Sequence, residues 1–379
     1  MTHRTARRAG KLKDIAVKST AVCAAAALAV GFAAAPAAAA PARPDLQALT
    51  DAIVDAGAPG AVVTVENDDG TWTGTAGVGN VWTGSAPNPQ GRIRIGSITK
   101  TFTATMVLQL VEEGAIELDA PVDRYLPGVL PYEEDVTIRQ LLQQNSGIPD
   151  YEDDLWPDAR TAAEHRYERY EPEALVAIAT QDPLTPSDDF HYSNTNYILL
   201  GMLIEAVTEH DLATELRERI LIPAGLDRTY LAGAFPLLPS PAMRGYEAFG
   251  TQADPLADLT AFNMTASWST GAIAATQADV NRFFEALLSG DLLGDELLNE
   301  MKTTIPAFPG FGYGLGLASG EPCGTPIWGH VGGSVGYLTY TFTDDAAEHQ
   351  ITITVNQSLT AAPEVSDAVT EMVAAEFCS

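Results

Sequence analysis

A serine and a lysine one helical turn apart are the first residues in this sequence able to do chemistry together. In Ile95-Gly96-Ser97-Ile98-Thr99-Lys100 a hydroxyl and an ammonium stand at i and i+3, a spacing that puts both on one helix face. An amine so placed can hydrogen-bond the serine oxygen and help remove its proton, which is how a nucleophile is activated. Phe102, Met106, Val107 and Leu110 supply the inward face of a helix ended by Gly114, so Ser97 is expected at the helix N-terminus. Backbone N–H groups there would meet a developing oxyanion. A serine cap ahead of a solvated lysine has the same spacing, so the pair needs partners.

Two further segments supply them. His191-Tyr192-Ser193-Asn194 forms a loop before a helix expected over Tyr197 to Thr208. In extended chain Tyr192 and Asn194 point the same way, offering a phenol to relay a proton and an amide to hold a substrate carbonyl. A buried tyrosine and a capping asparagine would be the structural alternative. Gly329-His330-Val331-Gly332-Gly333 is expected at a strand end, its glycines letting backbone lie against a ligand, although a simple strand-turn reads the same. Gly332-Gly333-Ser334-Val335-Gly336 also spells G-x-S-x-G, but such an elbow requires a following helix, whereas Tyr337 to Thr343 is strand-like and 45 residues remain after Ser334. His165, His191, His210, His330 and His349 show no paired ligand spacing, so neither a metal nor a cofactor is expected.

Periodicity gives the scaffold that carries these residues. Asp45 to Ala56 has helical spacing, and Ala61 to Glu66, Asn67-Asp68-Asp69-Gly70 and Thr71 to Gly77 read as a β-hairpin. From Ser97 to about Glu300 the pattern is mostly helical, clearest at Glu173 to Thr180, Tyr197 to Thr208 and Val280 to Leu288, with long loops such as Ala232 to Leu259. Strand patterns return at Gly314 to Ala318, Thr325 to His330, Val335 to Thr343 and Gln350 to Asn356, before a closing helix over Glu364 to Phe377. The fold class expected is α/β of the α+β kind: an antiparallel sheet flanked by helices, built from both chain ends, with a large mostly helical insertion. The sheet part spans about 41–96 and 305–379, the helical part about 97–304.

Composition narrows the function classes. The 379 residues are 46% hydrophobic and 19% charged, the profile of a globular chain with a sizeable core. Residues 1–40 order a charged stretch (Arg4, Arg7, Arg8, Lys11, Lys13), an apolar run from Ala21 to Ala35, and small residues. They read as a signal peptide cleaved between Ala37 and Ala40, the alternative being an uncleaved anchor. The protein is therefore expected to be secreted, without a stable membrane span after processing, and to act as a monomer on small-molecule partners. Of 21 Lys and Arg and 50 Asp and Glu, six and one lie in that segment, leaving 15 basic against 49 acidic residues. Such a field repels phosphate backbones and anionic lipid, so no nucleic-acid partner is expected. Cys323 and Cys378 remain after processing; two cysteines in an exported protein most often pair, the alternative being two free buried thiols.

Together, Ser97-Ile98-Thr99-Lys100, Tyr192-Ser193-Asn194 and His330-Val331-Gly332 have the order and spacing of the three motifs of penicillin-recognising serine hydrolases. With Leu108 to Gly114, Tyr125-Leu126-Pro127-Gly128 and Tyr313 to Leu317, residues 45–379 resemble the secreted serine D-alanyl-D-alanine carboxypeptidases, which share their fold with class C β-lactamases. The resemblance implies Ser97 as acylated nucleophile, Lys100 and Tyr192 as the proton-transfer pair, and Asn194 as the group positioning the substrate amide. It further implies His330, Gly332 and Gly333 as substrate-binding, the N–H groups of Ser97 and Gly333 as the oxyanion hole, and a disulfide where Cys323 and Cys378 stand. The implied activity is carboxypeptidase-like, on peptide, ester or β-lactam; an esterase or amidase, a β-lactamase, or a non-turnover penicillin-binding sensor are the alternatives. One departure bears on substrate. The three positions where such enzymes hold the substrate's carboxylate contain Ala318, Val331 and Gly333, none with a polar side chain. Weak carboxypeptidase activity and better turnover of esters or amides are therefore expected.

Overall fold

The computed structural model describes residues 45–133, 135–249 and 255–378. The signal peptide expected over 1–40 and its cleavage site lie outside the described residues. In chain order, α1 (Leu46–Asp55) is started by Asp45, whose carboxylate accepts from the N–H groups of Gln47 and Ala48. The hairpin β1 (Gly60–Asn67) and β2 (Gly70–Gly77) follows. The insertion contains α2 (Thr99–Glu112), α3 (Tyr151–Leu155), α4 (Asn194–Thr208) and α5 (Gln277–Leu288). The chain then forms β3 (Ile305–Phe308), β4 (Phe311–Tyr313), β5 (Ala318–Gly320), β6 (Ile327–Ser334), β7 (Tyr337–Asp344), β8 (Gln350–Val355) and α6 (Pro363–Phe377).

These strands form one antiparallel sheet in the order β2-β1-β8-β7-β6-β5-β4-β3. Both chain ends meet inside it, β1 pairing β8 from Ala61↔Val355 to Glu66↔Gln350. The period of two sorts the side chains. Val63, Val65, Tyr340, Phe342, Ile351 and Ile353 share an apolar core with Ile53 of α1 and Val369, Met372 and Phe377 of α6. Buried threonines at 64, 339, 341, 352 and 354 alternate with them, and α5 meets that layer with Gln277 on Thr64 and Thr354 and Asn281 on Thr352. The Cys323–Cys378 disulfide joins the end of α6 to the segment before β6 and contributes about 4 kcal/mol in a chain-entropy account.

Most residues of α2 are buried, as in a helix enclosed on every side. That burial explains one departure from the sequence pattern. Of the strand expected over Gly314 to Ala318, only Ala318 is in a strand. Gly316 turns at φ 81°, and a Cβ there would sit 2.4 Å from the Ala104 Cβ of α2; Thr101 Oγ1 donates to its carbonyl at 2.8 Å. Packing against α2 bends the chain out of the sheet. A second departure lies in β6, which ends at Ser334 and not at His330, so the glycine run is strand paired with β7 (Gly332↔Thr339, Gly333↔Leu338). A third is that Asn194, expected in a loop, is the first residue of α4.

Candidate active site

Ser97 lies in a single 3-10 turn, Gly96–Ile98, that precedes α2, and no side chain caps that turn. It is therefore not the helix cap its position suggested. The turn rests directly on β6. A Cβ on Gly332 would fall 1.9 Å from Ile95 O, and one on Gly96, at φ 53°, 2.3 Å from Gly333 O. Only residues without a Cβ allow this backbone-to-backbone approach. It brings Ser97 and Gly333 together in the lining of one pocket.

Lys100 is fully buried. Its Nζ donates to Ser97 Oγ at 3.1 Å, Asn194 Oδ1 at 2.7 Å and Thr270 O at 3.1 Å, and the rings of Tyr192 and Tyr197 face it at 4.9 and 5.6 Å. Acceptors and aromatic faces offset the cost of burying the charge. In the neutral amine, two hydrogens can serve Asn194 Oδ1 and Thr270 O while the lone pair turns to the Ser97 hydroxyl, the geometry of a general base. Asn194 in turn donates from Nδ2 to Asp150 Oδ2 at 2.9 Å, and Asp150 Oδ1 caps α3 by accepting from Glu152 N–H at 3.0 Å. Asp150 keeps some solvent contact. Burial of its carboxyl, helped by the Glu152 charge, nonetheless pushes it up to about 7, against the N–H donors and the Lys100 ammonium.

His330 is buried on β6. Its Nδ1–H donates to Val331 O at 2.7 Å, leaving Nε2 to accept the Tyr313 hydroxyl at 3.1 Å. Burial and the nearby Lys100 charge push the imidazole down to about 3, so it is neutral at physiological pH. It supports the site from behind; the pocket is lined from β6 by Gly333 and Ser334.

The pocket is otherwise lined by the apolar residues Trp156, Ala159, Ala162, Phe262, Met264, Val335 and Leu359 and by the acidic Glu152 and Asp158. Neither lysine nor arginine lines it among the described residues. Trp156 and Phe262 meet edge to face, centroids 5.7 Å apart. Asp158 is held below the usual carboxylate range by the N–H and hydroxyl of Thr161, so it is charged at neutral pH.

The structure thus gathers Ser97, Lys100, Tyr192 and Asn194 around one nitrogen, lays Gly332 under the serine turn, and sets Gly333 beside the serine. Asp150, Glu152 and the carbonyl of Thr270 were not singled out in the sequence. Asp150 caps α3 and Glu152 lies in its acidic first turn, a pattern that by itself marks no site, and a backbone carbonyl leaves no sequence signal. No group of three or more potential metal ligands occurs among the described residues, and no helix among them is long and apolar enough to cross a membrane.

Residues 46–376 match the profile of the family described as Beta-lactamase. Penicillin-binding protein 4 of Amycolatopsis lactamdurans is 28% identical over 300 residues, 74% of this chain and 76% of that protein. Among solved structures, a D-stereospecific amidohydrolase from Streptomyces sp. superposes with a TM-score of 0.80 at 35% identity, covering 89% of this chain and 99% of that one. D-amino acid amidase from Ochrobactrum anthropi, complexed with L-phenylalanine, gives 0.77 at 25% identity, covering 88% and 97%.

Proposed function

The chain belongs to the β-lactamase family of serine hydrolases, and from that premise we propose that it cleaves amides or esters of apolar amino acids bearing a free α-amino group, through an acyl intermediate on Ser97. The observation that carries this reading is the pocket wall. Glu152 and Asp158 line the same pocket as Trp156, Phe262 and Met264, and the positions that would hold a substrate carboxylate are Ala318, Val331 and Gly333. A substrate ammonium gains from these charges, whereas a carboxylate is repelled and meets no lysine or arginine in the lining among the described residues, only uncharged donors such as the Ser334 hydroxyl. The names of the two amidohydrolases support an amide substrate of D configuration.

In the proposed cycle Ser97 Oγ attacks the carbonyl carbon while its proton passes to the Lys100 amine, and the oxyanion takes the N–H groups of Ser97 and Gly333. The C–N or C–O bond then breaks, the leaving group collecting a proton from the Lys100 and Tyr192 pair. Water hydrolyses the acyl-serine by the reverse relay, regenerating the Ser97 hydroxyl. D-Alanyl-D-alanine carboxypeptidase activity is the second reading, supported by the penicillin-binding protein relative. Export, resting on the charged and apolar order of residues 1–40, belongs to the same proposal.

The test compares hydrolysis of D-phenylalanine amide, its N-acetyl derivative and its L enantiomer, with a D-Ala-D-Ala peptide as free acid and as C-terminal amide. The free-amine D amide is expected to be turned over fastest, and the peptide amide faster than the peptide acid. A strong preference for the free acid would replace this reading with the carboxypeptidase. Stoichiometric labelling of Ser97 without turnover of any of them would make the protein a sensor.

A further inference from the structure

We propose that Asp150 is the positioning residue of this site, fixing the Asn194 amide with its oxygen toward Lys100 and its nitrogen away. An asparagine amide can rotate by half a turn with little change of shape, exchanging an acceptor for a donor. Only one orientation suits Lys100. With Oδ1 inward the amine has an acceptor at 2.7 Å; with Nδ2 inward it would face a second donor, and its lone pair would be drawn from the Ser97 hydroxyl. The carboxylate decides between the two, because an ionised Asp150 Oδ2 accepts only from Nδ2, as it does at 2.9 Å.

The backbone around Asp150 is built to hold it there. Ser193 and Thr195 both donate side-chain hydroxyls to Pro149 O, at 3.1 and 2.7 Å. Tyr151 N–H donates to Thr195 Oγ1 at 3.1 Å. The Gly147-to-Glu152 segment is thus stapled to the start of α4, where Asn194 sits, and the second carboxylate oxygen is occupied by the α3 cap.

Protonation reverses the arrangement. A proton on Oδ2 turns that oxygen into a donor, which selects Asn194 Oδ1 and sends Nδ2 toward Lys100; a proton on Oδ1 opposes the Glu152 N–H cap. The charged groups acting on Asp150 are Glu152 from α3, which raises it, and Lys100 from α2, which lowers it; Asn194 from α4 is a neutral donor. With its carboxyl pushed up to about 7, the amide is released within the neutral range.

This inference rests on Ser97 and Lys100 chemistry but on no substrate class, so the assay is the rate of Ser97 modification by a fluorophosphonate, followed by intact mass from pH 5 to 9. Asp150→Asn keeps the size and the helix cap but cannot also accept from Asn194. It is expected to slow labelling roughly 10- to 100-fold above pH 8 and to match wild type as pH falls below about 6, where native Asp150 is itself protonated. A purely structural role would give a ratio that does not change with pH, and that result, or an unchanged rate, overturns the proposal. Asp150→Ser, long enough to cap but too short to reach Asn194, gives the same comparison should the first variant fold poorly. Asn194→Ala in the chain with native Asp150 should lose the acid limb, and adding Asp150→Ser to it should slow labelling no further; an additive loss would refute transmission through Asn194. If wild type is not labelled at all, the failure belongs to the proposed function instead.

Discussion

The floor of the site and its wall are built on different principles. The floor is backbone against backbone: the Gly96–Ile98 turn on β6, joined where Gly96 and Gly332 leave no room for a methyl group. The wall comes from short helices and a long connection, with Trp156 just beyond α3, Asp158 capping the Ala159–Glu164 helix, and Phe262 and Met264 after a loop. That loop is held by Arg94, buried, donating to the carbonyls of Pro236, Thr260 and Phe262. The floor tolerates almost no change of shape, whereas the wall can change its chemistry one side chain at a time. In the proposed function, reaction type and substrate choice would thereby fall to separate parts of the molecule.

The sharpest break of that division is Ser97→Ala, expected to abolish covalent labelling by a fluorophosphonate, since the oxygen that carries the adduct is gone. Because the Ser97 side chain caps no helix, the melting temperature should hardly move. An adduct found on Ser334 in that variant would relocate the nucleophile.

A matched pair of glycines compares the two regions directly. Gly332→Ala must displace the Ile95 carbonyl and should destabilise the fold by about 3 kcal/mol or more. Gly233→Ala, in the wall loop with nothing within 4 Å of the added carbon, should stay within about 0.5 kcal/mol. Denaturant unfolding of both settles whether the floor is the rigid partner; equal effects would dissolve the contrast.

Acid should act on the two regions with opposite sign. His330, in the floor, has a folded pKa lowered to about 3 from an unfolded value of roughly 6.5, so its contribution is present above 6.5 and is lost as pH falls toward 3. Between pH 7 and 5 the loss is about 2 kcal/mol. Asp150, at the base of the wall, has a raised pKa; its contribution is present at low pH and is lost as pH rises through about 7. His330→Gln should make stability less sensitive to acid and Asp150→Asn more so, read as melting temperature against pH. A shared direction would show that one sign is wrong.

Arg94→Met leaves the carbonyls of Pro236, Thr260 and Phe262 without their donor and should cost about 3 kcal/mol. Its kinetic effect is expected in KM for large side chains, with fluorophosphonate labelling of Ser97 little changed; a fall in labelling alone would place the loop in the floor. The smallest effect is assigned to Glu152→Gln, about tenfold in KM for free-amine substrates and none for their N-acetyl derivatives. Equal losses on both would remove the ammonium from the acidic side of the pocket.

The sequence alone carried the opening helix and hairpin, the serine and lysine on one turn, the last three strands and the closing helix, because each is written within one element by periodicity or close spacing; β3 and β4, short and paired only with each other and β5, had no such signal. The strand expected over Gly314 to Ala318 failed where α2 presses on Gly316, since periodicity records which face is apolar and not what lies against it. Tyr192 and Asn194 were legible as neighbours two apart on an extended segment, but the orientation of the Asn194 amide was not. It depends on Asp150, 44 residues earlier in the chain. The neutrality of His330 and the raised pKa of Asp150 arise from desolvation by every surrounding group, a sum that exists only once helices and sheet have closed around them. Charge state, amide orientation and the acidic lining were therefore decided by tertiary packing, while the pairing of Ser97 with Lys100 was already legible in six consecutive residues.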